Sequence, residues 1–529
     1  MSSRPWYLAL ATACVLLAAL AGGWLLRDRS IPGDWAAAAR LPRIRPDCTG
    51  TVIPPNIAPL DFAIEEPGVA YRVRIHAAGG ESLDIASGDP SIVIPMKAWK
   101  ALLERNRGGR IGIAVYVQDR DGPWTRFDTI EVSIAKENID SHLVYRLLGP
   151  VFNAWGHLGI YHRNLETYEE SPILQNASFE KGCVNCHCFA GGNRPESFSF
   201  HVRPPGDAAF APGMIVVRDG QVARLPTPPR ASPGRPGYTA WHPSAPLAAV
   251  SLGVAGQFMH GAGAEVREVY EMNSDLAIVD LKTGAMSSAK GIADPNRLET
   301  FPSWSPDGDY LYFCSAPLGK NVPALPPFAN YDSVQFDLMR IRYDVATDTW
   351  GEPECLLPAR KTGRSILEPR VSPDGRFLLF CMASHGAFPV LEADSDLYLM
   401  DLTRGGEFPY RPLTGANSPQ ADSWHCWSSN SRWIVYSSKR QNGLFARFYI
   451  CYVDPEGRDH KPFVLPQKDP FFYDTYLKTY NVPELVTGPV TAGQHALVRA
   501  ILSEAGDGGT SAPPAPNQRS PLASRPVGP

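Results

Sequence analysis

Apolar residues recur at every second position through much of this chain. From Arg110 to Val117 the positions Ile111, Ile113, Val115 and Val117 alternate with smaller or polar neighbours. Ile130, Val132 and Ile134 repeat the pattern, and Tyr71, Val73 and Ile75 give an earlier copy. A period of two puts alternate side chains on one face of a β-strand. Asp121-Gly122 lies between two of these runs as a tight-turn pair. Met96 to Asn106 is the one stretch in this region with helical spacing.

Residues 51–136 are therefore expected to form a small β-sandwich of the immunoglobulin or fibronectin kind, serving as a spacer. A linker, polar and with scattered Pro and Arg, covers 31–50. Residues 137–182, rich in Tyr, His and Glu but without a clear period, are expected as a packed connector.

Further on, the alternation is organised into an internal repeat. Pro302-Ser303-Trp304-Ser305-Pro306-Asp307-Gly308, followed by Tyr310 to Phe313, is echoed by Pro369-Arg370-Val371-Ser372-Pro373-Asp374-Gly375 followed by Phe377 to Phe380. Weaker copies begin at Trp241-His242-Pro243-Ser244 and Trp427-Ser428-Ser429-Asn430, giving successive spacings of 63, 67 and 56 residues. Ser-Pro-Asp-Gly predicts a tight turn, because Pro presets φ, Asp bonds its own backbone and Gly takes a positive φ. A second recurring piece, at Asp275 to Asp280, Asp337 to Ile341 and Asp396 to Asp401, supplies a further strand. One such sheet cannot bury both faces alone, so the copies are expected to stack around an axis as a β-propeller.

Over about 240–455 these repeats resemble the WD40-like type in the propeller of TolB, the periplasmic protein of the Tol envelope system. The resemblance implies an architecture and leaves the function open, since such propellers serve binding, scaffolding and catalysis alike. With strand-like segments between Met214 and Leu225, the expectation is a mainly β chain with five to seven blades, the propeller covering 211–500. A short helix is expected between Ala492 and Ser503, and the Gly-, Ser-, Ala- and Pro-rich residues 501–529 are expected as a disordered tail.

The longest apolar stretch, Trp6 to Leu26, carries no charge. It is just long enough to cross a bilayer core of about 30 Å at about 1.5 Å per residue. Ala19-Leu20-Ala21 fits a cleavage site, whereas Trp24-Leu25-Leu26 continues the run past it and suits an uncleaved anchor better. Residues 1–30 are thus expected as a transmembrane anchor, with a cleaved signal peptide as the alternative. Arg4 precedes the stretch while Arg27 and Arg29 follow it, so flanking charge does not itself argue for export. A net charge of −4 over 529 residues leaves no broad basic field, which argues against a nucleic-acid partner.

The chemistry is concentrated at Cys183-Val184-Asn185-Cys186-His187. This run resembles the haem-attachment motif of c-type cytochromes. The resemblance implies one covalently bound haem c (residues 183–210), with Cys183 and Cys186 as thioethers and His187 as proximal iron ligand. A two-residue gap puts the thiols about one helical turn apart, and the flanking glycines suggest a loop. A chain of this composition holds the pattern by chance roughly four times in a thousand. A zinc site would want a second Cys or His pair at similar spacing. Haem attachment occurs outside the cytoplasm, so the motif and the N-terminal segment support one another.

His201, in Phe198-Ser199-Phe200-His201, is the candidate distal ligand, folding back while its aromatic neighbours bury the porphyrin edge. Met214 is the alternative, with His157, His162, His242 and His260 as further candidates. Cys188 is either simply buried or paired with Cys48, and Cys314 and Cys381, at equivalent repeat positions, are expected as core packing. No nucleophile elbow, phosphate loop or His-Glu-x-x-His is present.

The expectation is a monohaem electron carrier on the bacterial inner membrane, facing the periplasm, whose propeller docks a redox partner protein or envelope complex. Two alternatives stand beside it. One is a haem oxidoreductase with chemistry at the propeller mouth; the other is a non-redox envelope scaffold or sensor with a structural haem.

Overall fold

The computed structural model describes residues 31–120, 122–149, 156–205, 212–225, 235–263, 265–318, 331–404 and 408–503. The apolar stretch at 6–26 and the tail beyond 503 lie outside these residues. Among the described residues no helix is long and apolar enough to cross a membrane. The chain divides into two compact units, one drawing on residues up to Pro55, on Pro59–Lys136 and on Pro466–Asp474, the other on Asn56–Ala58, Glu137–Leu465 and the residues from Thr475 onward.

The first unit holds a seven-stranded and a three-stranded sheet. The alternating runs form strands Ala70–Ala77, Arg110–Gln118 and Ile130–Ile134, and Met96–Arg105 is a helix burying Trp99, Leu102 and Leu103 on one stripe. The immunoglobulin-like expectation needs correction. Trp35–Ala37 pairs with Trp124–Arg126, and Val52–Ile53 with Ile130–Ile134, both in parallel. Immunoglobulin sheets are antiparallel throughout. Val52–Ile53 lies within the expected domain, and the other parallel strand comes from the expected linker, which contributes Trp35–Ala37 and Ile44–Arg45. The linker is tied down where Arg40 donates through two nitrogens to the Glu66 carboxylate, each at 2.7 Å.

The second unit is a six-sheet β-propeller. Blade 1 consists of His142–Leu148, Gly159–Asn164 and Glu170–Gln175, completed on its inner side by Thr479–Val486 from the far end of the chain. Blade 2 is Cys183–Ala190, Arg194–Arg203, Gly213–Arg218 and Gln221–Leu225; blade 3 is Arg235–Trp241, Leu247–Met259, Arg267–Asp280 and Met286–Ser287. Blade 4 begins with Arg297–Trp304, blade 5 with Ser365–Val371 and blade 6 with Asp422–Trp427. These first strands of blades 2–6 and Thr479–Val486 adjoin one another in cyclic order, which closes the ring around an axis.

The segments expected as connector and haem-binding segment lie in blades 1 and 2. Neither contains Ser-Pro-Asp-Gly, the signal that marks the later blades. That turn has one construction wherever it occurs. Gly308 N–H donates to the Ser305 carbonyl at 2.9 Å, Tyr310 N–H donates to Ser305 Oγ at 2.9 Å, and Gly308 has φ +83°. Ser372, Gly375 (φ +74°) and Phe377 repeat it, as do Ser428, Ser431 (φ +61°) and Trp433. In blade 3 the His242 imidazole replaces the serine hydroxyl, with Nδ1 accepting from the amides of Ser244 and Ala245 at 3.3 and 3.0 Å.

The hairpin Leu247–Met259/Arg267–Asp280 is the longest in the propeller, and its register extends well past the start of its own innermost strand. Its tip reaches blades that do not adjoin blade 3. Lys439 of blade 6 donates to Glu265 at 2.7 Å, and His385, after the second strand of blade 5, stands 3.9 Å from Glu268. The hairpin is thus a strap from blade 3 to blades 5 and 6.

Candidate functional site

All six innermost strands are interrupted at the same point. Each shows a β-bulge against its neighbour, between Asn185 and Cys188 in blade 2 and between Leu367 and Arg370 in blade 5, for example. In five of them the first bulged residue has a left-handed backbone: Cys186 (φ +54°), Phe301 (+51°), Glu368 (+55°), Trp424 (+45°) and Val482 (+50°). Non-glycine residues in this region carry strain on the order of 1–3 kcal/mol each. The strain is collected where the six strands meet.

The bulges turn six dipeptides toward the axis. Cys186-His187, Tyr238-Thr239, Phe301-Pro302, Glu368-Pro369, Trp424-His425 and Val482-Pro483, with Arg370, line an axial cavity. One side is aromatic, with Tyr238 stacked on Phe301 at 4.2 Å between centroids and Trp424 5.4 Å from Tyr238. Another carries ionic groups, where Arg370 Nη2 donates to Glu484 Oε1 at 2.5 Å.

The expected haem motif is the innermost strand of blade 2, Cys183–Ala190. Its backbone is a bulged strand, not the helical turn or loop the spacing suggested, because Val184 and Asn185 pair with Val202 and His201 across the sheet. Cys183, Cys186 and His187 are all buried. Neither ring nitrogen of His187 makes a hydrogen bond of good geometry, though the backbones of Val144 and Val482 lie close to the ring. Burial, with Arg146 nearby, lowers its pKa to about 3, so the imidazole is neutral with a free lone pair. Burial likewise raises the Cys186 thiol to about 11. Arg146 Nη2 donates to Cys183 Sγ at 3.4 Å and Nη1 donates to Asn185 Oδ1 at 3.1 Å, pinning one end of the motif.

His201 and Met214 lie in register with Asn185 on the next two strands. His201 Nε2 is hydrogen bonded to Thr239 Oγ1 at 2.9 Å while Nδ1 has no partner. Met214 packs in the apolar cluster between blades 2 and 3, with Val216, Leu225, Ala248 and Val250. The expectation that Phe198 and Phe200 accompany His201 over a porphyrin is corrected. They alternate with it, so they face the other way, into the core shared with Val144, Ile160 and Val184. His242 serves its turn, and His162 is hydrogen bonded to Ser171 at 2.6 Å. Cys48 and Cys188 are buried free thiols, so the pairing considered for them is not formed, and Cys314 is buried as expected.

Sequence reasoning missed the opposite wall. Glu368, Cys381 and His425 are buried and converge: Cys381 Sγ lies 3.4 Å from Glu368 Oε2 and 3.5 Å from His425 Nδ1. The missing signal was the repeat register. Tyr238, Phe301, Glu368 and Trp424 each stand six residues before the Ser244, Asp307, Asp374 and Asn430 of their turns.

No protein-family model and no curated protein sequence matches the chain. Among solved structures it is similar to a prolyl endopeptidase, at 11% identity and a TM-score of 0.32, covering 68% of this chain and 41% of that one. It is also similar to the β-propeller domain of the Trilobed protease from Pyrococcus furiosus, at 12% and 0.31, covering 68% and 91%. Oligogalacturonate lyase from Vibrio parahaemolyticus matches at 13% and 0.31, covering 66% and 88%. The chain spans about two fifths of the length of the prolyl endopeptidases it matches. The assignment as a propeller rests on the cyclic order of the six sheets.

Proposed function

We propose that the chain is a monohaem c-type cytochrome carrying electrons between partners outside the cytoplasm, held to the bacterial inner membrane by its N-terminal segment. The observation that supports this is His187. It directly follows the second cysteine of the attachment motif and presents a neutral, buried imidazole at an axial cavity. When bound, the haem supplies an iron centre that exchanges one electron at a time.

In this reading Cys183 and Cys186 anchor the porphyrin, His187 is the proximal ligand and His201 the candidate distal one, with Met214 as alternative. Cys186, His187 and an aromatic wall of Tyr238, Phe301 and Trp424 front the cavity, whereas Cys183, held by Arg146, is outside its lining and would have to turn toward it. Attachment has to come before blade 2 closes on its neighbours, because the folded strand buries both thiols and keeps Cys186 protonated. The propeller, by its TolB-like repeats, provides the docking surface for a redox partner or envelope complex.

A second reading, an oxidoreductase acting at the propeller axis, has one observation in its favour. Strained backbone and titratable groups are gathered around the axial cavity. Reduced-minus-oxidised spectra with and without carbon monoxide separate the two. A carrier has a six-coordinate haem indifferent to carbon monoxide, and an enzyme an open, reactive position. A haem-free Cys183→Ala variant that kept its partner contacts would support the scaffold instead.

A further inference from the structure

We infer that Glu368, Cys381 and His425 form a binding site for a divalent transition-metal ion of the zinc class, with its open coordination position facing the axial cavity. The site takes its ligands from none of the residues of the haem reading, although it faces the same axial cavity.

The geometry comes first. Three different donor types point at one another from three strands: Glu368 from the innermost strand of blade 5, Cys381 from the strand behind it, and His425 from the innermost strand of blade 6. Their separations are 3.4 Å for Sγ to Oε2, 3.5 Å for Sγ to Nδ1 and 3.9 Å for Nδ1 to Oε2. A tetrahedral zinc with bonds of about 2.0–2.3 Å requires donor separations of about 3.3–3.6 Å. Two separations fit already, and the third needs about half an ångström of closure.

The charge balance points the same way. Glu368 is buried, and among the described residues no Lys or Arg forms an ion pair with it; the nearby Arg370 is committed to Glu484. Glu368 Oε1 and His425 Nε2 are buried without any partner. One carboxylate, one thiolate and a neutral imidazole around a divalent cation sum to zero charge, the arrangement a desolvated site tolerates best. The thiolate and imidazole select a borderline-soft ion over magnesium or calcium. Trp424 N–H donates to Glu368 Oε2 at 2.6 Å, orienting the carboxylate as an outer-shell partner does. Glu368 holds its place in a left-handed conformation.

Glu368 and His425 line the cavity, whereas Cys381 stands behind them. Three protein ligands on one wall leave the fourth position toward the axis, the layout of metal sites that bind a water or substrate.

The test is zinc content and zinc K-edge absorption of the full-length protein, signals that haem iron does not enter. After incubation with zinc and desalting, about one zinc per chain is expected, with one sulfur near 2.3 Å and nitrogen or oxygen neighbours near 2.0 Å. Cys381→Ser is expected to remove the sulfur shell, and a Cys183→Ala/Cys186→Ala variant to keep it. Should Cys381→Ser not accumulate as folded protein, Glu368→Gln replaces it, with at least a tenfold loss of zinc affinity expected. A shell with two sulfurs, a shell with none, or substoichiometric zinc in the unmodified protein overturns the proposal.

Discussion

His187 and His425 occupy the same position in their respective blades: each directly follows the left-handed residue of its innermost strand, and both line the axial cavity. Burial, the main cause, lowers both to a pKa of about 3, and that of His201 on the second strand of blade 2 as well. The repeat geometry thus delivers neutral imidazoles to the axis from different blades.

The first prediction follows from proton linkage. Each of these three histidines has a folded pKa below its unfolded value of about 6.5, so below pH 6.5 the unfolded chain binds protons that the folded chain does not. Stability is therefore expected to fall as pH drops from 6.5 toward 3, approaching about 1.4 kcal/mol per pH unit for each histidine. Urea midpoints of the unloaded chain at pH 7 and pH 5 measure it. Glu271, Glu368 and Glu392, raised to about 7 by burial, act in the opposite direction over this range, so the histidine contribution is read as the change in the pH 7 to pH 5 difference on His187→Gln. A difference unaltered by that substitution would show that the imidazole is not sealed from solvent.

Arg370 and Glu484 form an ion pair that links blade 5 to the closing strand of blade 1. Replacing Glu484 by Gln leaves a guanidinium without its counter-ion in a poorly solvated position. A loss of about 3 kcal/mol is expected, at the low end of the range for buried pairs because Arg370 fronts the cavity. A double Arg370→Met/Glu484→Met variant should recover most of it. A single variant as stable as the parent in urea unfolding would contradict the account.

Closure of the ring depends on Thr479–Val486, which pairs with His142–Leu148 more than 300 positions earlier. Ending the chain at residue 475 would bare the inner edge of blade 1 and the Tyr145 and Phe448 rings against which Tyr480 packs. Such a chain is expected to aggregate and to be cut by protease at concentrations the full chain resists. A monomeric, resistant truncation would show that the strand is dispensable.

The strap should respond to pH in the opposite sense. Glu268 raises the pKa of His385, and burial raises Glu392, 3.6 Å away, to about 7. Folded values above the unfolded ones mean that their contribution is fully present at low pH and is lost as pH rises through the folded values. Hydrogen exchange at 253–268, corrected for intrinsic rates, is expected to be slower at pH 5.5 than at pH 8.5, with His385→Ala abolishing the difference. Equal protection at both values would remove the strap from its contact with blade 5.

The later blades were legible because their turns repeat a local chemistry: Ser305, Asp307 and Gly308 announce the same hydrogen bonds as Ser372, Asp374 and Gly375. Blades 1 and 2 were not, since they lack that turn and blade 1 borrows a strand that no local signal ties to it. The motif at Cys183 was visible as chemistry, whereas its place on the axis depends on the register of the ring. Cys381 was expected as packing for a related reason. A buried cysteine on an apolar strand looks inert until the bulges of two other strands bring Glu368 and His425 beside it.

The most direct test of the central claim is the mass and pyridine haemochrome spectrum of the mature protein made in a host competent for cytochrome maturation. One covalently attached porphyrin per chain is predicted, lost in Cys183→Ala. A mature, folded protein without any added porphyrin would contradict the account.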